Sequence, residues 1–268
     1  LDLPAAVTLR IPESPQVLRL YVHGERDQCI SRRIREEGIW EPYETSLLLR
    51  WLRPGDVFVD VGANIGYFSL LAATVVGRGG AVFAFEPDPD NYQLLLANAK
   101  LNHLDGRITA VEAALSENDG EGRLYLSTDN LGDHQLYAGD EQRRSVAILL
   151  HEGSRYLAGR LSRIDVLKVD TQGSEFQVIA GLMPLLQRLP HCPRILIELT
   201  PHALRQAGAS GRALLELLDT LGQPMWIIDH IDNQVAQSSA QELALWCDNW
   251  DAVPEARGFM NILVGPND

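Results

Sequence analysis

The sequence predicts an α/β fold in which a mostly parallel sheet carries helices on both faces. Three observations support this. From Asp56 onward, apolar runs of strand length alternate with runs of helix length at helical spacing. The strand-length runs, such as VFVDV (57–61) and RILIEL (194–199), are nearly continuous in apolar residues, as strands buried on both faces are. The connections are short, as turns between strands and helices in such sheets are.

In chain order, residues 1–40 read as a small β-rich or irregular lead-in, containing the alternating VLRLYV (17–22), a turn-like HGERDQ and a polar SRRIREEG. Residues 41–268 form the main domain. EPYETSLLLRWL (41–52) has helical spacing, and RPG (53–55) stops it. Then follow strand 57–61, helix 65–76, strand AVFAFE (81–86), helix 88–102 opened by Asp88 and Pro89, and strand ITAVEAAL (108–115). The rhythm breaks over 116–163, an insertion in which 122–127 and 145–152 pair as strands around the polar loop 128–144. It returns with strand 164–170, helix 174–189, strand 194–199, helix 211–221, strand 224–229 and a last strand 259–265. The stretch 230–258 is polar and reads as a surface excursion.

Composition narrows the function. The chain has 268 residues, enough for one large domain with an appendage. With 23 basic and 36 acidic residues its formal charge is −13, a field that repels phosphate backbones, so no nucleic-acid partner is expected. Cys29, Cys192 and Cys247 are an odd, widely spaced trio, which suggests neither a disulfide framework nor a zinc site and fits a reducing, cytoplasmic setting. The longest apolar run, IGYFSLLAATVV (65–76), is too short to span a bilayer. The sequence starts at Leu1 rather than Met, so a removed leader stays compatible with it.

The densest signal is VDVGANIGYF (59–68). Ligands of open parallel sheets sit beyond the carboxyl ends of the strands, which places Asp60, Gly62, Asn64, Gly66, Glu86 and Asp170 along one rim. Gly62 lets a ligand approach bare backbone, and the helix from Ile65 offers free N–H groups to an anionic group. Glu86 follows Gly62 by 24 residues, at the end of the second strand, where a carboxylate accepts from ribose hydroxyls. A pyrophosphate would be repelled by Asp60, whereas the amino group of a methionine tail would not, so S-adenosylmethionine is the expected cofactor.

VDVGANIGYFSL, FEPDPDNYQLLLANAKLN, AALSENDGE and IDVLKVDTQGSE followed by a helix and ILIEL together resemble the FkbM family of S-adenosylmethionine-dependent methyltransferases, over roughly 40 to 265. The resemblance implies a class I methyltransferase (Rossmann-like) three-layer sandwich with seven strands, the last antiparallel. It implies O-methylation of a hydroxyl on a sugar or secondary metabolite, and so a small-molecule acceptor. It also implies that Ala113 and Ala114 stand where an adenine ring stacks and that Glu41 closes over the cofactor. The family pattern D-x-E-G-x-E reads DTQGSE here, so Gln172 stands in place of an acid.

A hydroxyl acceptor benefits from a base. His134 in the loop 128–144 is the first candidate, brought in as that loop orders over the cofactor, with Asp133 beside it either raising the imidazole's affinity for a proton or anchoring the loop. Asp170 is the second, a structural bond to the turn at Gly173 being the rival reading for its carboxylate. No set of residues suggests a metal; the pair His230 and Asp232 reads as polar surface. An NAD-dependent oxidoreductase would share the first turn and Glu86, but GANIGYF spaces its glycines differently from G-x-G-x-x-G. A non-catalytic nucleoside-binding module is the other alternative.

Overall fold

The computed structural model describes residues 4–138, 143–253 and 257–267. The lead-in is a two-strand ribbon, β1 (Val7–Thr8) and β2 (Arg19–Leu20), followed by helix α1 (Ile30–Glu37). That helix lies in the polar stretch read as irregular. Its Ile34 is fully buried with Leu18, Leu20, Leu47 and Leu48, and Ile30 packs partly buried against the same core, so two apolar positions anchor an otherwise polar helix. The lead-in thus shares a core with the main domain.

Helix α2 (Pro42–Trp51) precedes β3 (Val57–Val61), α3 (Tyr67–Val76), β4 (Ala81–Phe85), α4 (Pro89–Leu101) and β5 (Ile108–Val111). The strand expected over 108–115 is broken. After a bend at Glu112 and Ala113 the chain leaves the main sheet, and β6 (Ala114–Ser116) enters a separate one with β7 (Gly120–Tyr125) and β8 (Ser145–Glu152). Apolar patterning runs across the bend because both sheets bury their strands, so periodicity alone could not show it. The chain continues through α5 (Gly153–Leu157), β9 (Val166–Val169), α6 (Glu175–Leu186), β10 (Arg194–Leu199), α7 (Pro201–Gln206), α8 (Gly211–Asp219), β11 (Met225–Asp229), β12 (Gln234–Ser238), α9 (Ala240–Asp251) and β13 (Met260–Val264).

The main sheet runs β12-β11-β13-β10-β9-β3-β4-β5, with β13 antiparallel between β10 and β11. This is the class I methyltransferase arrangement with one strand more than expected. The extra strand, β12, pairs only with β11 at the sheet's edge, where polar QVAQS needs no second neighbour. The region read as a surface excursion therefore holds β12 and α9, and α9 packs against α8 with Leu243, Ala244 and Cys247 buried.

Alternate strand residues feed two cores, as period-two geometry requires. Phe58, Val82 and Ala84 face α2, α3 and α4, while Val59, Val61, Phe83 and Phe85 face α6 and α8. The result is a three-layer sandwich. No helix among the described residues is long and apolar enough to cross a membrane.

Candidate functional site

At the end of β3 the backbone turns left-handed at Gly62 (φ 86°), Asn64 (φ 50°) and Gly66 (φ 89°). The N–H groups of Gly62 and Ala63 both donate to the Phe85 carbonyl at 3.0 Å, stitching the turn to β4. Helix α3 starts at Tyr67, two residues later than expected, because Gly66 is its N-cap. A Cβ on Gly62 would stand 1.9 Å from the Asp170 carbonyl oxygen. The neighbouring strand end thus requires a glycine here by itself. Gly66 is likewise internal, since its Cβ would meet Leu95 at 3.1 Å.

Above this turn lies a groove open to solvent. Six predicted residues line it: Gly62, Asn64, Glu86, Ala114, His134 and Asp170. Asp60, Gly66, Ala113 and Glu41 do not. Asp60 is 1% exposed, accepts from the Ser69 hydroxyl at 2.6 Å, and points its other oxygen into the interior without a partner. Ala113 is fully buried in the bend between β5 and β6, and Glu41 lines a second, smaller cavity.

Glu86 follows β4 with both oxygens committed to backbone. Oε2 accepts from Asn64 N–H at 2.7 Å and Oε1 from Asp88 N–H at 2.9 Å. Burial pushes its carboxyl up to about 8 against the pull of those N–H groups. Each oxygen keeps a further acceptor direction. Asp88, expected to cap α4, does so through Asn91 N–H at 2.8 Å.

The loop expected to close over the site already lies on it. Asn64 Nδ2 and Asn91 Nδ2 each donate to the Leu131 carbonyl at 3.1 Å, and Gln28 N–H donates to Asp129 O at 2.8 Å, tying the loop to the lead-in. Within 128–144, residues 139–142 lie outside the described residues. His134 is sunk into this packing. Its Nδ1 accepts from Ser127 N–H at 3.0 Å and its Nε2 faces Asp88 Oδ2 at 3.9 Å, while burial lowers its affinity for a proton. Asp133 pairs with Arg143 at 2.7 Å. The histidine's acceptor nitrogen is thus occupied by backbone.

On the opposite side of β3, Asp170 follows β9 and is a quarter exposed. Lys168 Nζ donates to its Oδ2 at 2.9 Å and Gln172 Nε2 to its Oδ1 at 2.8 Å. The turn N–H of Gly173 goes to Glu175, at 3.1 and 3.0 Å, which leaves Asp170 facing the groove. Burial alone would lower the Lys168 ammonium, but Asp170, Glu41 and Asp60 around it raise it, and it lies 4.7 Å over the Phe68 ring.

Sequence reasoning missed Lys168, Glu44, Glu198, Asn91 and Asn261. A signal for two of them was present: Lys168 and Glu198 are charges inside apolar strand runs, and a charge in a strand covered on both faces must be paired or functional. His230, read as polar surface, holds Glu44 Oε1 at 2.7 Å. Among the described residues no group of His, Cys, Asp and Glu is placed to hold a metal.

Comparison with known proteins matches the family model of the methyltransferase FkbM domain to residues 60–225. The 31-O-demethyl-FK506 methyltransferase FkbM of Streptomyces tacrolimicus is 30% identical over 205 residues, 65% of this chain and 75% of that protein. The hexuronic acid methyltransferase AglP of Haloferax volcanii is 29% identical over 152 residues, 53% of this chain and 56% of that one. A shorter likeness, 36% over 90 residues, reaches the tRNA (guanine(37)-N(1))-methyltransferase of Danio rerio, covering 29% of this chain and 18% of that protein.

Proposed function

Since this chain belongs to the methyltransferase FkbM family, we propose that it methylates a hydroxyl of a small molecule, on a sugar or a secondary metabolite. S-adenosylmethionine is the cofactor of this methyltransferase. The residues present fit it. Glu86 offers a buried carboxylate at the strand end where ribose hydroxyls are read, and Ala114 adds an apolar wall beside it. When bound, the cofactor supplies an activated methyl group.

The observation that carries the reading is that Glu86 and Asp170 line one groove from strands on either side of β3. A nucleoside held at Glu86 leaves the Asp170 end for the acceptor. Asp170 there accepts the hydroxyl proton, and Lys168 and Gln172 hold its carboxylate in place. This assigns the base to Asp170 rather than His134, whose Nδ1 is taken by Ser127 N–H. Positioning of the acceptor supplies up to about 7–11 kcal/mol of the barrier, and a base adds roughly 10²–10⁴-fold. The acidic surface implied by a charge of −13 favours a small acceptor over a polyphosphate.

The test gives the protein S-adenosylmethionine with a labelled methyl group and a panel of sugars and hydroxylated metabolites. The expected product carries the label in an alkali-stable ether. Label found only in alkali-labile esters or in a tRNA transcript would contradict the proposal.

A further inference from the structure

Beside the groove, sharing Asp170 with it, lies a second, small cavity into whose wall five ionisable side chains are gathered. Glu41, Glu44, Asp170 and Glu198 meet there around the single ammonium of Lys168. The available donors are already engaged. Lys168 is bound to Asp170, and Gln172 Nε2 bridges Asp170 Oδ1 and Glu198 Oε1 at 2.8 and 3.1 Å. His230 and Asn261 both serve Glu44 Oε1. Glu44 itself is 0% exposed, yet its second oxygen, Oε2, has no partner among the described residues. A buried carboxylate oxygen left bare in this way is costly, and the methyl-transfer roles assigned above do not use it.

We propose that this cavity is an ammonium subsite, in which Glu44 Oε2, with Glu41 and Glu198, accepts the N–H groups of a primary amine on a ligand seated in the adjoining groove. The inference rests on reading that groove as the cofactor and acceptor site. An ammonium has three donors and no acceptor, matching a cavity with acceptors in excess. A carboxylate would be repelled, and the described residues offer no metal-holding group. Two amines could reach the place: the amino group of the cofactor's methionine tail, or one carried by the acceptor.

The acids of the cavity hold their protons more tightly than ordinary carboxylates. Burial, with Glu44 and Asp170 adding, pushes Glu41 up to about 8, and burial with Asp170, Glu175 and Glu41 raises Glu198 well above its usual range. Lys168 pulls both the other way, and His230 is raised by its bond to Glu44. Asp60 adds a further acid behind Lys168 and Asp229 one beside His230. An entering ammonium would displace such protons.

Calorimetry at pH 7 in two buffers of different ionisation enthalpy tests this in two arms. The first compares S-adenosylhomocysteine with its analogue lacking the amino group. The second titrates S-adenosylhomocysteine-saturated protein with glucosamine, glucose and glucuronate. One arm should show at least a tenfold preference for the amine, with proton release, and the arm that does so names the amine's source. Glu44→Gln keeps an acceptor for His230 and puts an amide donor where the ammonium would sit. It should erase the preference while leaving the protein folded, with a cooperative melt, and the affinity for the deaminated analogue unchanged. Equal binding with and without the amine in both arms, or a preference that survives Glu44→Gln, overturns the subsite alone. Failure of the wild type to bind S-adenosylhomocysteine or its analogue overturns the cofactor reading and the subsite with it.

Discussion

The two flanks of β3 build the same rim from different materials. On the β4 side, Glu86 is fixed by the backbone N–H groups of Asn64 and Asp88, and the Asn64 and Asn91 amides hold the covering loop through one carbonyl. On the β9 side, Asp170 is fixed by side chains, Lys168 and Gln172, within a cluster of acids. Backbone donors keep their geometry at any pH, whereas a cluster of opposed charges follows its protons and its ligands. The first flank suits a cofactor common to a whole family; the second suits an acceptor that differs from one relative to another.

Gly62→Ala should erase the contrast altogether, since the two flanks meet at that residue. Its Cβ would collide with the Asp170 carbonyl at 1.9 Å in a left-handed backbone, so a loss of roughly 2–5 kcal/mol is expected in urea unfolding. Glu86→Gln keeps the shape and replaces one acceptor by a donor. It should weaken S-adenosylmethionine binding by about 1.5–3 kcal/mol in titration calorimetry, with the fold intact.

A pH series titrates an acid on each flank, and a substitution on one of them assigns its share. Burial raises Glu86 and Glu41 to about 8 from an ordinary 4.5, so between these values the folded chain binds more protons than the unfolded one. Stability should therefore fall as pH rises from about 5 to about 8 and level off above that, and Glu86→Gln should flatten that fall in thermal melts. His134→Ala is the smallest change expected. It removes one bond to Ser127 N–H, costing about 1 kcal/mol of stability, with turnover within a few-fold of wild type.

Much of this was legible before any coordinates. The strands on either side of the Gly62 turn, the cap at Asp88 and the carboxylate at Glu86 all follow from short-range patterns, where residue type and spacing determine geometry. What the sequence did not show depended on how side chains are turned and brought together by the fold. Asp60 belongs to the rim in the sequence, but it alternates onto the interior face of β3 and bonds Ser69. His134 looked available because a loop histidine has no visible partner, and only the fold brings Ser127 N–H and Asp88 to it. The acid cavity draws on α2, β9, β10 and β13, a juxtaposition that no local window contains. β12 was missed because an edge strand can be polar and still satisfy half its backbone.

Single-turnover methyl transfer by Asp170→Asn at saturating cofactor tests the assignment of the base most directly. The expected rate is at least 10²-fold below wild type, with S-adenosylhomocysteine affinity changed by no more than a few-fold. Transfer by Asp170→Asn at the wild-type rate would contradict that assignment.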